Sequence, residues 1–302
     1  MVFRKEKHFN PLYQMEQGQI HAGGKACELL ETSAAPQRGK ALVSEVLHHA
    51  TGHQHAPPIG ACVSVGPVDP ARPTLVLTHG MRYRTCHPAT MDPLPELREI
   101  GEAAHERMRG SNPINILHFV WPKASRDLEA GVRNIPSLVR FCIHAFRETD
   151  AEGRVLASVL REVLGGNYCE PVHFVGHSYG ALVNAHAVHA LSLSGWGRGA
   201  QFTALDVAIH LTIGNDRKLL RLLAEKGRGL RVTRLDNYFG PPFYAVGTGI
   251  RGAGPGWLYG GHRVARTHCG VMTFYRDTIR KPRMKWGFNH SILADPSSGP
   301  RI

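Results

Sequence analysis

Short apolar runs alternate with longer stretches of helical periodicity along the middle of the chain. The apolar runs predict strands at 61–65, 74–78, 115–120, 172–175, 205–213 and 230–235. The helical spacing predicts helices over 95–109, 126–148, 152–164, 181–193 and 217–225. Short apolar strands separated by longer helices are typical of a mostly parallel sheet with helices on both faces. The pattern therefore predicts an α/β protein of this architecture.

The two ends of the chain are patterned differently from its middle. Residues 1–57 carry little periodicity apart from a short helix expected over 41–49, so we interpret them as an N-terminal extension of a domain that spans 58–302. The two runs 61–65 and 74–78 bracket a Pro/Gly turn and are expected to pair. Residues 239–286 are rich in Gly, Pro and aromatic side chains, which favours a cap or lid over the domain.

The strongest local signal is the sequence VHFVGHSYGALVNA, which starts at Val172. It reads as a strand, then Gly-x-Ser-x-Gly around Ser178, then a helix. Small residues on both sides of a serine let a strand and a helix approach closely, so that a sharp turn can expose the hydroxyl group. Ser178 is therefore the predicted nucleophile, with the Tyr179 amide aimed at a developing oxyanion by the helix N-terminus.

A second element upstream supports this interpretation. The strand at 74–78 ends in His79-Gly80-Met81, and a His-Gly pair after such a strand is typical of the loop that supplies another oxyanion amide. Gly80 would let the backbone approach the reacting carbonyl, and the Met81 amide is the predicted donor. His79 and His177 are predicted to line the pocket beside the serine.

On these motifs the chain resembles the α/β-hydrolase superfamily, most closely its lipase and esterase branches. The resemblance covers roughly residues 60–236 and a C-terminal histidine, and its specific part is VHFVGHSYGAL. It implies a Ser–acid–His triad in that chain order, no metal or other cofactor, and attack on an ester or related acyl bond.

Several residues compete for the acid and the base of this triad. The acid is expected just after a strand that follows the helix after Ser178. This favours Asp236 and leaves Asp216 as the alternative. Asp206 lies inside the strand-like run 205–213 and is a weaker candidate. For the base, His290 near the chain end is favoured over His268 and His262.

The charge of the chain adds a further expectation. The net charge is +12, and the whole excess lies in residues 217–302, where 16 Lys/Arg accompany 4 Asp/Glu. Such a surface attracts phosphates, anionic lipids or acidic substrates, and equally fits a solvated face. It lacks the interleaved aromatic residues of a nucleic-acid platform, so no nucleic-acid partner is expected.

Cysteines and apolar runs bear on the compartment. The six cysteines are scattered and fit free thiols in a reducing compartment. The sequence shows neither a secretory signal nor an apolar run of membrane-spanning length, so a cytoplasmic location is the default expectation and signal-independent export stays open.

The sequence thus predicts a serine esterase or lipase that works through Ser178, Asp236 and His290. Two alternatives stay open. The same triad serves thioesters and amides, because the fold does not decide the acyl bond. A catalytically inactive domain of this type would instead bind a lipid or a protein partner.

Overall fold

The fold is described from a computed structural model that covers residues 44–47, 61–80, 95–110, 112–121, 135–193, 196–197, 199–207, 232–240, 262–284 and 286–294. All of these lie in one compact unit that spans Glu31–Ile302. Its described strands are β1 (Ser44–Leu47), β2 (Ala61–Val65), β3 (Thr74–Thr78), β4 (Asn115–Val120), β5 (Val172–His177), β6 (Ala200–Leu205), β7 (Val232–Phe239) and β8 (His262–Arg263).

The eight described strands form a single sheet in the order β1-β2-β4-β3-β5-β6-β7-β8. The strands β1 and β2 run antiparallel to their neighbours, and all pairs from β4 to β8 are parallel. In β3 every residue is buried, as expected for a strand that is covered on both faces. The predicted fold class, a mostly parallel sheet flanked by helices, is confirmed.

Four α-helices are described: α1 (Pro95–Met108), α2 (Ile135–Leu164), α3 (Tyr179–Ser192) and α4 (Gly270–Arg280). A 3-10 helix at Gly287–His290 follows α4. Two hydrophobic cores correspond to the two faces of the sheet. One joins the sheet to α2 and α3 through side chains such as Leu160 and Leu182, and the other joins it to α1 and α4 through Ile100 and Tyr275.

Several elements differ from the sequence predictions. The predicted helices 126–148 and 152–164 correspond in the described residues to the single helix α2, because no Pro interrupts it near residue 150 and the Thr149 hydroxyl donates to the Phe146 carbonyl oxygen within the helix. Residues 44–47 form a strand on β2 instead of a helix, so the sheet begins before the boundary expected at residue 57. The strand β2 pairs with β1 and β4, and the predicted pairing of β2 with β3 is wrong, because β4 lies between them.

The segment expected to form a cap, 239–286, also differs in its described part. The helix α4 buries Val271, Met272, Tyr275 and Ile279 in the core against the sheet and α1, so it belongs to the domain itself. The strand β8 extends the sheet edge. Residues 241–261 of the predicted cap lie outside the described residues, as do the predicted helix 217–225 and Asp216.

Candidate active site

Ser178 lies in the sharp turn between β5 and α3. Its φ of 55° and ψ of −123° are unusual for a residue with a side chain, and it is the N-terminal cap residue of α3. Backbone strain of this kind persists only where the surroundings enforce it, and it is found at functional turns. The turn predicted from Gly-x-Ser-x-Gly is therefore present.

Close backbone contacts show why the turn needs its glycines. A Cβ atom on Gly180 would lie 2.3 Å from the carbonyl oxygen of Thr78, and one on Gly80 would lie 2.6 Å from the Ser178 Cβ atom. The end of β3 thus packs directly against the start of α3 and against the serine. Gly80, the last described residue after β3, therefore lies beside Ser178, and the oxyanion role of the residues that follow it stays a prediction.

His79 connects Gly80 to the end of β4. The backbone N–H of Trp121 donates to its Nε2 atom at 3.1 Å, so the ring proton is on Nδ1, which donates to the Gly80 carbonyl oxygen at 2.5 Å. The indole N–H of Trp121 donates in turn to the His79 carbonyl oxygen at 2.7 Å. His79 is 1% exposed and bonds to Gly80 and Trp121, and its predicted position in the pocket lining stays a prediction.

The strand next to β5 brings a carboxylate to the same edge. The Ser178 amide donates to the carbonyl oxygen of Leu205, the last residue of β6, at 2.9 Å. Asp206 follows at once with a φ of 50°, so the chain turns where the strand ends. The carboxyl ends of β5 and β6 therefore place Ser178 and Asp206 next to each other in the sheet.

The carboxylate of Asp206 holds a histidine. His268 Nδ1 lies 2.7 Å from Asp206 Oδ2, and the Gly240 amide donates to Asp206 Oδ1 at 3.3 Å. Asp206 is 8% exposed and the side chain of His268 is 30% exposed. With its proton on Nδ1 donated to the carboxylate, the His268 ring carries a lone pair on Nε2, the arrangement that a general base requires.

His177 connects this histidine to the turn. Its ring centroid lies 4.4 Å from that of His268, and its Nε2 atom lies 3.3 Å from the His268 carbonyl oxygen. Because His177 directly precedes Ser178, these contacts bring the Asp206–His268 pair close to the serine turn.

The structure places the favoured acid and base of the sequence analysis elsewhere. Asp236 lies inside β7 opposite Thr203, and its carboxylate accepts from Gln201 Nε2 at 2.6 Å and contacts Arg234 Nε at 3.3 Å. The carbonyl oxygen of His290 accepts from the same Gln201 amide at 3.4 Å. These two residues therefore belong to the contacts that join the 3-10 helix to the sheet, and the structure pairs Asp206 with His268 instead.

Other predicted site residues are divided between described and undescribed parts of the chain. Tyr179 is the first residue of α3, so its backbone N–H lies in the first turn and points out of the helix N-terminus. Met81 lies outside the described residues. His262, an alternative base, is in the exposed strand β8 with its ring 3.9 Å from that of Trp286.

Three histidines are buried in the neutral form. Burial, together with nearby positive charge, lowers the pKa of His118, His173 and His177 to about 3. His173 bonds to Thr203 and Ser291, whereas His118 has no hydrogen-bond partner among the described residues. Each folded pKa lies below the unfolded value of about 6.5, so the unfolded chain binds protons that the folded chain does not.

Because the pKa values of these three histidines are lowered in the folded state, we expect the protein to lose stability in mild acid. Stability is complete above pH 6.5 and is lost as the pH falls towards 3, by about 1.4 kcal/mol per pH unit for each histidine. Urea denaturation between pH 7.5 and 5.5 measures this slope. His118→Leu should remove about a third of the slope, and His189→Gln, a partly exposed control, should leave it unchanged. A wild-type stability that does not change over this range would contradict the assignment.

Within the part of the chain that the structure describes, no three His, Cys, Asp or Glu side chains are grouped as a metal site requires. The described helices also include none that is both long and apolar enough to cross a membrane.

No family model matches the sequence, and no curated protein matches it. Among solved structures, the chain is similar to LpqC, a poly(3-hydroxybutyrate) depolymerase from Bordetella parapertussis, with 16% identity, a TM-score of 0.40, and coverage of 78% of this chain and 88% of that one. It is also similar to YbtT, a type II thioesterase of the yersiniabactin pathway (12% identity, TM-score 0.37, coverage 78% and 98%). A third is Est1E from Butyrivibrio proteoclasticus (13% identity, TM-score 0.34, coverage 74% and 92%).

The geometry of the chain itself defines the fold. The parallel strands β3, β5 and β6 end at one edge, a strained serine turn joins β5 to α3, and an acid and a histidine follow in chain order. With this sheet and this elbow, the chain has the α/β-hydrolase fold.

Proposed function

We propose that the chain is a serine hydrolase that cleaves carboxylic esters through a triad of Ser178, Asp206 and His268. The observation that carries the proposal is the Asp206–His268 contact of 2.7 Å beside the strained turn at Ser178. It replaces the Asp236 and His290 of the sequence analysis and keeps the chain order Ser, Asp, His.

The first half of the reaction forms an acyl-enzyme. His268 Nε2 takes the proton of the Ser178 hydroxyl as its oxygen attacks the carbonyl carbon of the ester, and Asp206 stabilises the resulting imidazolium. The negative charge on the carbonyl oxygen is held by the amide of Tyr179 and by the amide of Met81 after Gly80. The tetrahedral intermediate then collapses, and the leaving alcohol takes the proton from His268.

The second half returns the enzyme to its starting state. A water molecule gives a proton to His268 Nε2 and attacks the acyl carbon, and the new tetrahedral intermediate expels the Ser178 oxygen. His268 returns its proton to that oxygen, and the carboxylic acid leaves. Each cycle thus consumes one ester and one water and produces one acid and one alcohol, with no change in the enzyme.

A fluorophosphonate probe tests the proposal directly. Such probes react with serines that a neighbouring base activates, so folded wild-type protein should be labelled, and peptide mass spectrometry should locate the adduct on Ser178. Heat-denatured protein is the control and should not react. Folded protein that stays unlabelled would favour the alternative, an inactive domain that binds a lipid or a protein partner.

The same triad could act on thioesters or amides, and matched substrates separate these from esters. We expect p-nitrophenyl esters to be cleaved with a higher kcat/KM than thioesters or anilides of the same acyl chain. A preference for the thioester would move the assignment to a thioesterase without changing the triad.

Exposed basic residues beside an exposed tryptophan support a lipid ester as substrate. Arg280, Lys281 and Arg283 are exposed where α4 ends, and Trp286 next to them is 42% exposed. Trp286 contacts His262 of β8, and the chain runs from β8 to His268. Tryptophan favours the membrane interface, and lysine and arginine are attracted to anionic headgroups.

We therefore expect the protein to bind vesicles that contain phosphatidylserine more tightly than vesicles of phosphatidylcholine alone. Arg283→Glu should weaken this binding by about tenfold, because each basic residue near an anionic surface contributes about 1 kcal/mol. Arg161→Glu makes the same charge change on the exposed side of α2 and is the matched control. Cosedimentation measures the binding, and equal effects of the two variants would contradict a specific lipid-facing surface.

A further inference from the structure

We propose that His177 is a positioning residue for the catalytic base, holding the backbone and the ring of His268 against the nucleophile turn. This inference rests on the proposed function, and it assigns a role to the residue before the serine. The sequence analysis expects His177 only to line the pocket.

Two contacts join His177 to His268, one polar and one between the rings. A carbonyl oxygen can only accept, so the proton of the His177 ring is on Nε2 and is donated to the His268 carbonyl oxygen at 3.3 Å. The ring centroids are 4.4 Å apart with an interplanar angle of 42°. One side chain therefore fixes both the main chain and the side-chain direction of His268.

His268 needs such a support because of where it lies. It is not in a strand, and it stands two residues before α4, in a segment whose neighbours Arg266 and Thr267 are exposed. Its side chain is 30% exposed, and its Nδ1 atom contacts Asp206. The nitrogen of a general base must stay within about 3.2 Å of the oxygen whose proton it accepts. His177, which is 5% exposed, fixes the base from the buried side.

The protonation state of His177 suits this role. Burial and the neighbouring His268 lower the pKa of His177 to about 3, so its ring is neutral when His268 takes the serine proton. A second positive charge at this distance would oppose the imidazolium that forms on His268. The Nδ1 atom of His177 is buried and has no hydrogen-bond partner among the described residues, which also fits a proton on Nε2 alone.

Two substitutions separate the polar contact from the ring contact. His177→Phe keeps a ring of similar shape and removes the donor, whereas His177→Gln keeps an amide N–H at about the reach of Nε2 and removes the ring. We expect His177→Phe to lower kcat by about 100-fold with KM nearly unchanged, since a base displaced by about 1 Å costs that much. His177→Gln should recover most of the lost kcat. His189→Gln on α3 is the control and should match the wild type.

A second measurement does not depend on turnover. Nitrogen-15 spectra of the histidine rings report which nitrogen carries the proton, and His177 should appear as the neutral Nε2–H form at pH 5.5. Thermal denaturation of each variant confirms that it is folded before its kinetics are compared.

The outcomes distinguish this inference from the proposed function. Wild-type protein that resists the fluorophosphonate would overturn the proposed function and this inference with it. Labelled wild-type protein together with a folded His177→Phe variant of unchanged kcat would overturn the role of His177 alone. An Nδ1–H form of His177 would do the same, because that ring could not donate to the His268 carbonyl oxygen.

Discussion

Replacing Ser178 by alanine is expected to abolish ester hydrolysis, with a loss of about 10⁶-fold in kcat. In the proposed mechanism the acyl-enzyme forms on the Ser178 oxygen, and no other group in the described site takes the same position in the turn. The fold should persist, because alanine fills the same turn without the hydroxyl group, although its φ of 55° is no easier for alanine than for serine. Initial rates with a p-nitrophenyl ester and labelling by a fluorophosphonate both measure the loss.

Ser192→Ala is the matched control for this variant. Ser192 is the last residue of α3, where its hydroxyl donates to the carbonyl oxygen of His189 at 2.7 Å. It shares the helix with the nucleophile turn but lies at the opposite end. We expect its activity to equal that of the wild type. Substantial hydrolysis by folded Ser178→Ala would show that another nucleophile does the chemistry.

The second large effect concerns the acid. Asp206→Asn should lower kcat by about 10⁴-fold, because an amide in this position no longer holds the His268 proton on Nδ1 and no longer stabilises the imidazolium. KM should change little, because Asp206 is only 8% exposed and its carboxylate contacts His268 and the Gly240 amide. Steady-state kinetics separate kcat from KM.

Asp236→Asn is the natural comparison, because the sequence analysis favours Asp236 as the acid. Its carboxylate accepts from Gln201 and contacts Arg234 inside the sheet, so its loss should lower stability by about 1–3 kcal/mol and leave kcat near the wild-type value. A variant Asp236→Asn that is folded but inactive, beside an active Asp206→Asn, would restore the Asp236 and His290 pair and reject the triad proposed above.

The sequence favours Asp236 over Asp206 as the acid because it does not show where the strand before Asp206 ends. The mostly apolar run 205–213 predicts a strand that includes Asp206, whereas the described strand β6 is Ala200–Leu205 and carries Gln201 and Thr203; residues 208–213 lie outside the described residues. Both polar residues are fully buried, with Gln201 bonded to Asp236 and Thr203 to His173. Their hydrogen bonds are made by residues distant in sequence, which allows polar side chains inside a buried strand. A pattern of apolar residues therefore cannot locate this strand.

Moving the strand by a few residues changes the interpretation of Asp206. Within a strand 205–213 it would be an interior residue, but after a strand that ends at Leu205 it lies at the carboxyl edge beside Ser178. The turn at Ser178 was predicted correctly, because its glycines and the flanking strand and helix are adjacent in sequence. The predicted strands at 61–65, 74–78 and 115–120 are also confirmed, because each is defined by residues adjacent in sequence.

The identity of the base could not be predicted from the sequence for a different reason. His262, His268 and His290 all follow Asp236 in the chain, and nothing local to any one of them identifies a base. His268 reaches the site because the end of β7 packs against the residue before it, where a Cβ atom on Gly240 would lie 2.9 Å from the Thr267 carbonyl oxygen. The spacing of residues along the chain does not reveal such a close contact between segments that are distant in sequence.

An experimental structure of the enzyme after reaction with a fluorophosphonate tests the central claim most directly. The account predicts a phosphonate on the Ser178 oxygen, with His268 Nε2 within about 3.2 Å of an oxygen of the adduct and His268 Nδ1 bonded to Asp206. A phosphonylated Ser178 with His290 in that position, or an adduct on a different residue, would contradict it.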